Sequence, residues 1–442
     1  MRHPSRQPAP SRILPDTPSL PQRRSQCRWC KRSVLALLCV AALLACDEQN
    51  EAPAPLRYCD SGAEVFSETC VHRLELALSS EAWSALSLPE RPEVHARLDF
   101  DEHHFADVGL RLKGAGSYDT MEGKPAFKVD LNQWLRGTKL DGLKAFRLHN
   151  GKSWDPTLSH EYLAYALARD AGLLAPRVGF AFVTVNGIPF GLYTLVEKHD
   201  DVMLAQSDPA RAAGGSILEA EGSFYDLGVG ALDEQPELLL SASIEEGPMP
   251  PDPALLAALL ELDRILAGTP SEDAAEQLFA LVPRERFLSY LAWEAVAQHR
   301  DGYRMGANWR LFVDGETQQV EWVATGADST WAGGLGATDA FCGMSSPEAF
   351  RSAFRFCMEL GSCRKGYAER VLALAERVET LELSQRFEAL TALLQPFIAA
   401  DPRFPFTREE LEFARTMTAE ALGPQLAAMR SAVLQQYPEL GR

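Results

Sequence analysis

Three side chains in one stretch of this 442-residue chain have the types and spacing that phosphoryl transfer requires. Asp301 lies in the run "HRDGYRMGANWRLFVD", His299 to Asp314; Asn308 follows seven positions later, and Asp328 lies beyond a short hairpin, in "GADSTW", Gly326 to Trp331. Moving a phosphoryl group asks for little covalent chemistry from a protein. It asks for one carboxylate to orient the attacking hydroxyl, and for an Asn and a second Asp to hold metal ions against the phosphates. Taken alone the three residues are also ordinary loop polarity, and His299 and Arg300 read as structural. The chain has no G-x-S-x-G, no H-E-x-x-H and no Walker-type loop, so the usual hydrolase and P-loop signatures are missing.

These residues need elements to deliver them. The helical run "RERFLSYLAWEAVAQH" brings Asp301 into a loop, and "NWRLFVDGETQQVEWVAT" reads as a hairpin turning at Asp314-Gly315, with Asp328 just past its second strand. Upstream, "RLKGAGSYDTMEGKPAFKVDL" carries Gly114 and Gly116 in a turn whose amides could approach phosphates. Lys113, Lys124 and Lys128 around it are the nucleotide-side candidates; the bland alternative is a hairpin with exposed lysines. Glu161 sits on the next helix, where kinase-type sites place a Glu that pins the strand Lys. Its alternative is a solvated carboxylate. Glu197 ends the strand "GLYTLVE" at the junction of the strand-rich and helical halves, where a nucleotide base could be held.

Between residues 71 and 200 the pattern is of short alternating strands: "VHRLELALS", "VHARLDF", "VGLRLKG", "AFKVDL", "AFRLHN" and "AFVTVNGIPFGLYTLVE". The last contains Asn186-Gly187, a two-residue hairpin turn. One helix interrupts them, with Asp155 as cap, Pro156 at its first position and Gly172 as its stop. Residues 201–252 are rich in Gly, Pro and acidic residues and read as an excursion, with a lid as one use. From Pro253 the chain is mostly helical, with helices near 253–268, 272–281, 284–299, 347–359, 364–399 and 407–437, the last opened by a Thr407/Glu410 capping box. Strands first and helices after give an α+β class, in the order of a two-lobed kinase-like fold: a strand-rich lobe at 71–200 and a helical lobe at 253–442.

The formal charge is −18, and the first 45 residues hold eight Lys/Arg and one Asp, so the remainder stands at −25. Such a chain repels phosphate backbones, which argues against nucleic acid as partner. Arg23, Arg24, Arg28, Lys31 and Arg32 lead into the apolar run Ser33 to Ala45, which has the length of a signal-peptide core and is short for a bilayer span. It closes on "LLAC" before "DEQNEAPAP", like a bacterial lipoprotein signal: residues 1–45 removed, Cys46 lipidated, residues 46–70 a tether. Leu44 fits that motif imperfectly, and an ordinary secretory signal is the alternative. Export would favour disulfides. Cys59–Cys70 closes a short loop; Cys357–Cys363 is the second pairing, with Cys342–Cys357 and Cys342–Cys363 left open.

The blocks "VGLRLKGAGS", "KPAFKVDL", the run Gly142 to Leu204 and "RDGYRMGANWRLFVDGETQQVEWVATGADSTW", in this order, resemble the CotH kinase family, secreted or spore-associated proteins with an atypical protein-kinase-like fold. "VNGIPFGLYTLVE" is the most specific. The resemblance implies an exported kinase that uses ATP with a divalent metal, Mg or Mn, to phosphorylate Ser or Thr on envelope or coat proteins; the membrane tether is what the signal at Cys46 adds. It implies Asp301 as the catalytic Asp, Asn308 and Asp328 at the metal, and a Lys with Glu161 on the nucleotide side. One departure stands out. Where the family carries Trp-Asp-x-Asp this chain has Thr325-Gly326-Ala327-Asp328, so the first Asp has become Gly326. A non-catalytic surface module on the same fold is the competing expectation.

Overall fold

The computed structural model describes residues 55–441 apart from 115, 153, 208–213, 220–225, 229–235, 305–307, 334–338 and 342–350. The signal, Cys46 and Cys342 lie outside the described residues. Pro55–Arg442 forms one compact unit, so the strand-rich and helical parts are not separate bodies.

The strand-rich part is a closed seven-stranded barrel. In chain order it contains β1 (His72–Ala77), helix α1 (Ser80–Leu86), β2 (Val94–Phe100), β3 (His103–Lys113), β4 (Ala126–Asp130), β5 (Ala145–His149), helix α2 (His160–Asp170), β6 (Val178–Val185) and β7 (Ile188–Glu197). Neighbours pair antiparallel in the order β1-β2-β3-β4-β5-β7-β6, and one parallel pairing, His72–Leu76 of β1 on Ala181–Val185 of β6, shuts the barrel. Alternation decides the faces. Leu110, Leu112, Phe127, Val129, Phe146 and Leu148 fill the interior, which turns Arg111, Lys113, Lys128, Arg147 and His149 outward. The Asn186-Gly187 turn has φ of 51° and 74°, both left-handed, as the tight hairpin requires. β7 is buried on both faces: Tyr193 and Leu195 join the barrel core, Leu192 and Val196 the core of the helical part.

Residues 201–252 do more than make an excursion. After α3 (Asp201–Ser207) come β8 (Ser216–Glu219), α4 (Pro236–Ser243) and β9 (Ile244–Glu246). These two strands join the later hairpin in a four-stranded antiparallel sheet, ordered β11-β10-β8-β9. Then follow α5 (Pro253–Ala267), α6 (Glu272–Leu281), α7 (Arg284–Val296), β10 (Arg310–Val313), β11 (Val320–Val323), α8 (Ser352–Glu359), α9 (Gly361–Thr380), α10 (Leu383–Ala400), α11 (Arg408–Glu420) and α12 (Leu426–Gln436). The expected single helix over 364–399 is two, broken at Glu382 with φ 53°. The one over 407–437 is interrupted at 421–425, around Gly423-Pro424. Thr407 and Glu410 form the capping box. Cys59–Cys70 and Cys357–Cys363 are both bonded, the second joining α8 to α9. The described part of the expected tether is packed rather than loose: Cys59, Val65 and Cys70 are buried, and the Tyr58 ring sits edge-on 5.0 Å from Phe397. No helix among the described residues is long and apolar enough to cross a membrane.

Candidate active site

Lys113 ends β3 and His149 ends β5, on the two strands that flank β4, and both side chains leave the barrel on the same outer face. Helix α2 lies against that face. Its carboxylate Glu161 is buried, and Glu161 Oε2 sits 2.7 Å from His149 Nδ1, while Lys113 Nζ donates to His149 Nε2. A neutral imidazole satisfies both partners, with Nδ1–H given to the carboxylate and Nε2 accepting from the ammonium. Burial, with Lys113 and Arg147 nearby, holds the imidazole well below its usual range and so keeps it neutral. The expected Lys–Glu link is therefore a three-membered one through a histidine. Helix α2 begins at His160 rather than at Pro156. The buried Asp155 carboxylate accepts the His160 amide at 2.7 Å and the Thr157 amide and hydroxyl at 3.0 and 2.6 Å, capping the helix from five residues upstream.

The 299–331 region faces this triad. Asp301 is half-buried; its Oδ2 accepts from Asn308 Nδ2 at 2.7 Å and its carbonyl accepts the Asn308 amide at 2.8 Å, so loop and strand entrance are doubly tied. Beneath the loop lies Glu294 of α7, fully buried. It accepts the amides of Tyr303 and Arg304 at 2.6 and 2.8 Å and the Tyr290 hydroxyl at 3.0 Å. Gly302 passes so near that a Cβ there would come within 2.4 Å of Glu294 Oε1. His299 is structural: Nε2 donates to the Thr325 carbonyl at 2.9 Å, Nδ1 takes the Ser329 hydroxyl at 3.0 Å, and burial drives its pKa down to about 4. Asp328 occupies a 3-10 turn, Ala327–Ser329. Helix α2 holds that turn, with His160 Nδ1 on the Asp328 carbonyl at 3.1 Å and the Tyr165 hydroxyl accepting the Ala327 amide at 3.3 Å.

Gly326 explains the departure in the sequence. Its φ of 62° lies in the left-handed region, and a Cβ built on it would stand 2.6 Å from Asn308 Cβ and 2.7 Å from Asn308 Cγ. The Asn308 side chain thus occupies the space that an Asp at 326 would need.

Charges in this cleft act on one another. Burial pushes Asp328 up to about 8, and Glu161, Asp155 and Asp301 push the same way against Lys113. Burial likewise lifts Glu161 to about 7. Lys113 comes down to about 7, through burial and the repulsion of Arg147 and Arg310 against the pull of Glu161 and Asp328. Asp301 is raised by burial, offset by the Asn308 bond.

Lys113, Glu161, Asp301, Asn308 and Asp328 are therefore brought together; the other three nucleotide-side candidates are not. Lys124, just before β4, is buried in an ion pair with Asp401 at 2.5 Å. Lys128 faces outward beside Asp130, 3.6 Å away. Glu197 is spent on Arg177, whose backbone amide, Nε and terminal nitrogen reach it at 3.0, 3.1 and 2.7 Å. The turn at Gly114 is pinned by Arg91, which donates to the Gly114 carbonyl at 2.6 Å. Sequence reasoning missed His149 and Glu294. Strand alternation put His149 on the face of Lys113, and this signal was there to use; nothing in sequence singles out Glu294.

Asp301, Asn308 and Asp328 offer hard oxygen donors, and spending the Asn308 nitrogen on Asp301 leaves Asn308 Oδ1 free to ligate. That chemistry suits Mg²⁺ or Mn²⁺. Among the described residues no three His, Cys, Asp or Glu side chains are grouped as a metal cage, so phosphate and water would supply the remaining ligands.

The family model described as CotH kinase protein matches residues 110–417. The inner spore coat protein H of Bacillus subtilis (strain 168) is 22% identical over 254 residues, covering 57% of this chain and 68% of that one. A solved structure of the Helicobacter pylori proinflammatory kinase CtkA aligns over 68% of this chain and 94% of its own, at 8% identity and a TM-score of 0.31. The match to the family model spans the barrel from β3, the cleft and the helices to α11, and on it this chain belongs to the CotH kinase protein family.

Proposed function

We propose that this protein is an exported kinase, held to the envelope through a lipid on Cys46, that transfers the γ-phosphoryl group of ATP to Ser or Thr of envelope or coat proteins. The observation that carries this is the convergence of Lys113, Glu161, Asp301, Asn308 and Asp328 from separate elements on one cleft. The two disulfides fit work outside the reducing cytoplasm. Asp301 accepts the hydrogen bond of the acceptor hydroxyl, fixed in orientation by Asn308 and raised in basicity by burial. Lys113, steered by His149 and Glu161, meets the phosphates. Asp328 and Asn308 Oδ1 would hold a divalent cation, which neutralises charge on the transferring group.

A second reading, a binding platform without catalysis, has its own support in Gly326, because the first carboxylate of the family's pair is replaced and its place is filled by Asn308. The separating experiment is incubation of the purified domain with labelled ATP and Mn²⁺ or Mg²⁺. The kinase reading expects label transfer that Asp301→Ala abolishes. Absence of transfer together with absence of metal-dependent nucleotide binding establishes the platform. Cys46→Ser is expected to release the protein from membranes.

A further inference from the structure

Beside the Lys113–Asp328 cleft lies a second layer of charge. Arg147 lies two residues before His149 on β5 and shares its outward face; Arg310 opens β10, two residues after Asn308. Their guanidinium groups converge on one carboxylate, Glu245, at the middle of the three-residue strand β9. Arg147 contacts Glu245 Oε1, and Arg310 Nε donates to Oε2 at 2.7 Å. His199 supports the pair, with Nδ1 accepting from Arg147 at 2.7 Å and Nε2 on the Ala324 carbonyl at 3.1 Å. Arg310 also donates to Thr325 Oγ1 and to Glu219, and the neighbouring Glu246 holds Lys198 at 3.1 Å.

We propose that Arg147 and Arg310 form an anion site for a phosphate-bearing ligand, occupied in this conformation by Glu245 of the chain's own β9. Two guanidinium forks closing on one pair of oxygens is the geometry that receives a phosphate. The site is within the reach of Lys113, whose ammonium feels both arginines, so one polyphosphate could span the two layers. The occupant comes from the segment 201–252, a short edge strand of the four-stranded sheet, so withdrawing it costs little pairing. Glu245 is then an internal competitor of the ligand.

This rests on the cleft being a ligand site, but not on phosphotransfer, and its test reads binding alone. Inorganic tripolyphosphate is titrated, without metal, into wild type and Glu245→Gln. The variant is expected to bind about tenfold tighter, the loss of one charge-assisted competitor, and Arg310→Met added to it is expected to cancel the gain. A folded Glu245→Gln that binds no tighter overturns the proposal and leaves the Arg147–Glu245–Arg310 cluster structural. Should that variant not fold, hydrogen exchange on wild type decides: tripolyphosphate must speed exchange of the Ile244–Glu246 amides, and unchanged exchange overturns the proposal. Label transfer from ATP is scored separately, so a failed kinase reading leaves this result interpretable.

Discussion

His149 shows how one residue sets the character of a site. Between a buried ammonium and a buried carboxylate it acts as a rigid spacer, lengthening a Lys–Glu pair by one ring. Replacing it with Ala leaves the buried Glu161 without that donor, which is expected to cost about 1–3 kcal/mol by denaturant unfolding. Asp328 gives a pH signature. Its folded pKa, about 8, stands above the ordinary carboxylate value, so the folded chain holds a proton that the unfolded chain has released; stability falls as pH rises from about 4 to about 8. Asp328→Asn is expected to flatten that slope and raise Tm most at pH 8, read from thermal scans across pH. Lys113 works oppositely: depressed to about 7, it makes stability rise from there towards its unfolded value.

At the scale of elements, the loop between β11 and the 3-10 turn is built around Gly326. Alanine there must adopt φ 62° and press on Asn308, a cost of about 1–3 kcal/mol. Asn308→Gly on the same background removes the Cβ that a side chain at 326 meets first and is expected to recover part of it, a coupling that a double-mutant cycle measures. Gly326→Asp alone therefore should not restore the family's carboxylate pair, because its Cβ meets the Asn308 Cβ itself. Such a contact was illegible in sequence, where Gly326 showed only as a missing acid. The strands, the Asn186-Gly187 turn and the capping box were legible because each rests on local chemistry: alternation, turn residues and caps; motif spacing made the nearness of Asn308 to Asp301 legible in the same way. Lys124 was misread because sequence gives the proximity of a lysine to a glycine turn but not its true partner, which lies 277 residues away. The sheet built by β8 and β9 was missed for the same reason, since its strands pair across a long insertion.

Across the whole molecule, Lys124 and Asp401 join the barrel to the end of α10. Asp401 also accepts the amide of Leu192 at 3.0 Å, and Gly191 leaves space for it, a Cβ there falling 1.9 Å from the carboxylate. Lys124→Met strands that carboxylate in the interior and is expected to cost about 3–5 kcal/mol by denaturant unfolding. The parallel seam between β1 and β6 has a different bearing, on the order of events in time. β1 must wait for a strand synthesised more than one hundred residues later before the ring can shut. Loop closure of that span makes this pairing a late and slow step, and until it happens β1 and β6 both offer open edges. For a chain that folds after export, this is the interval of greatest exposure to aggregation. The Cys59–Cys70 loop lies immediately before the closing strand, so its oxidation ties down the chain entering the seam while the span from β1 to β6 keeps its full length.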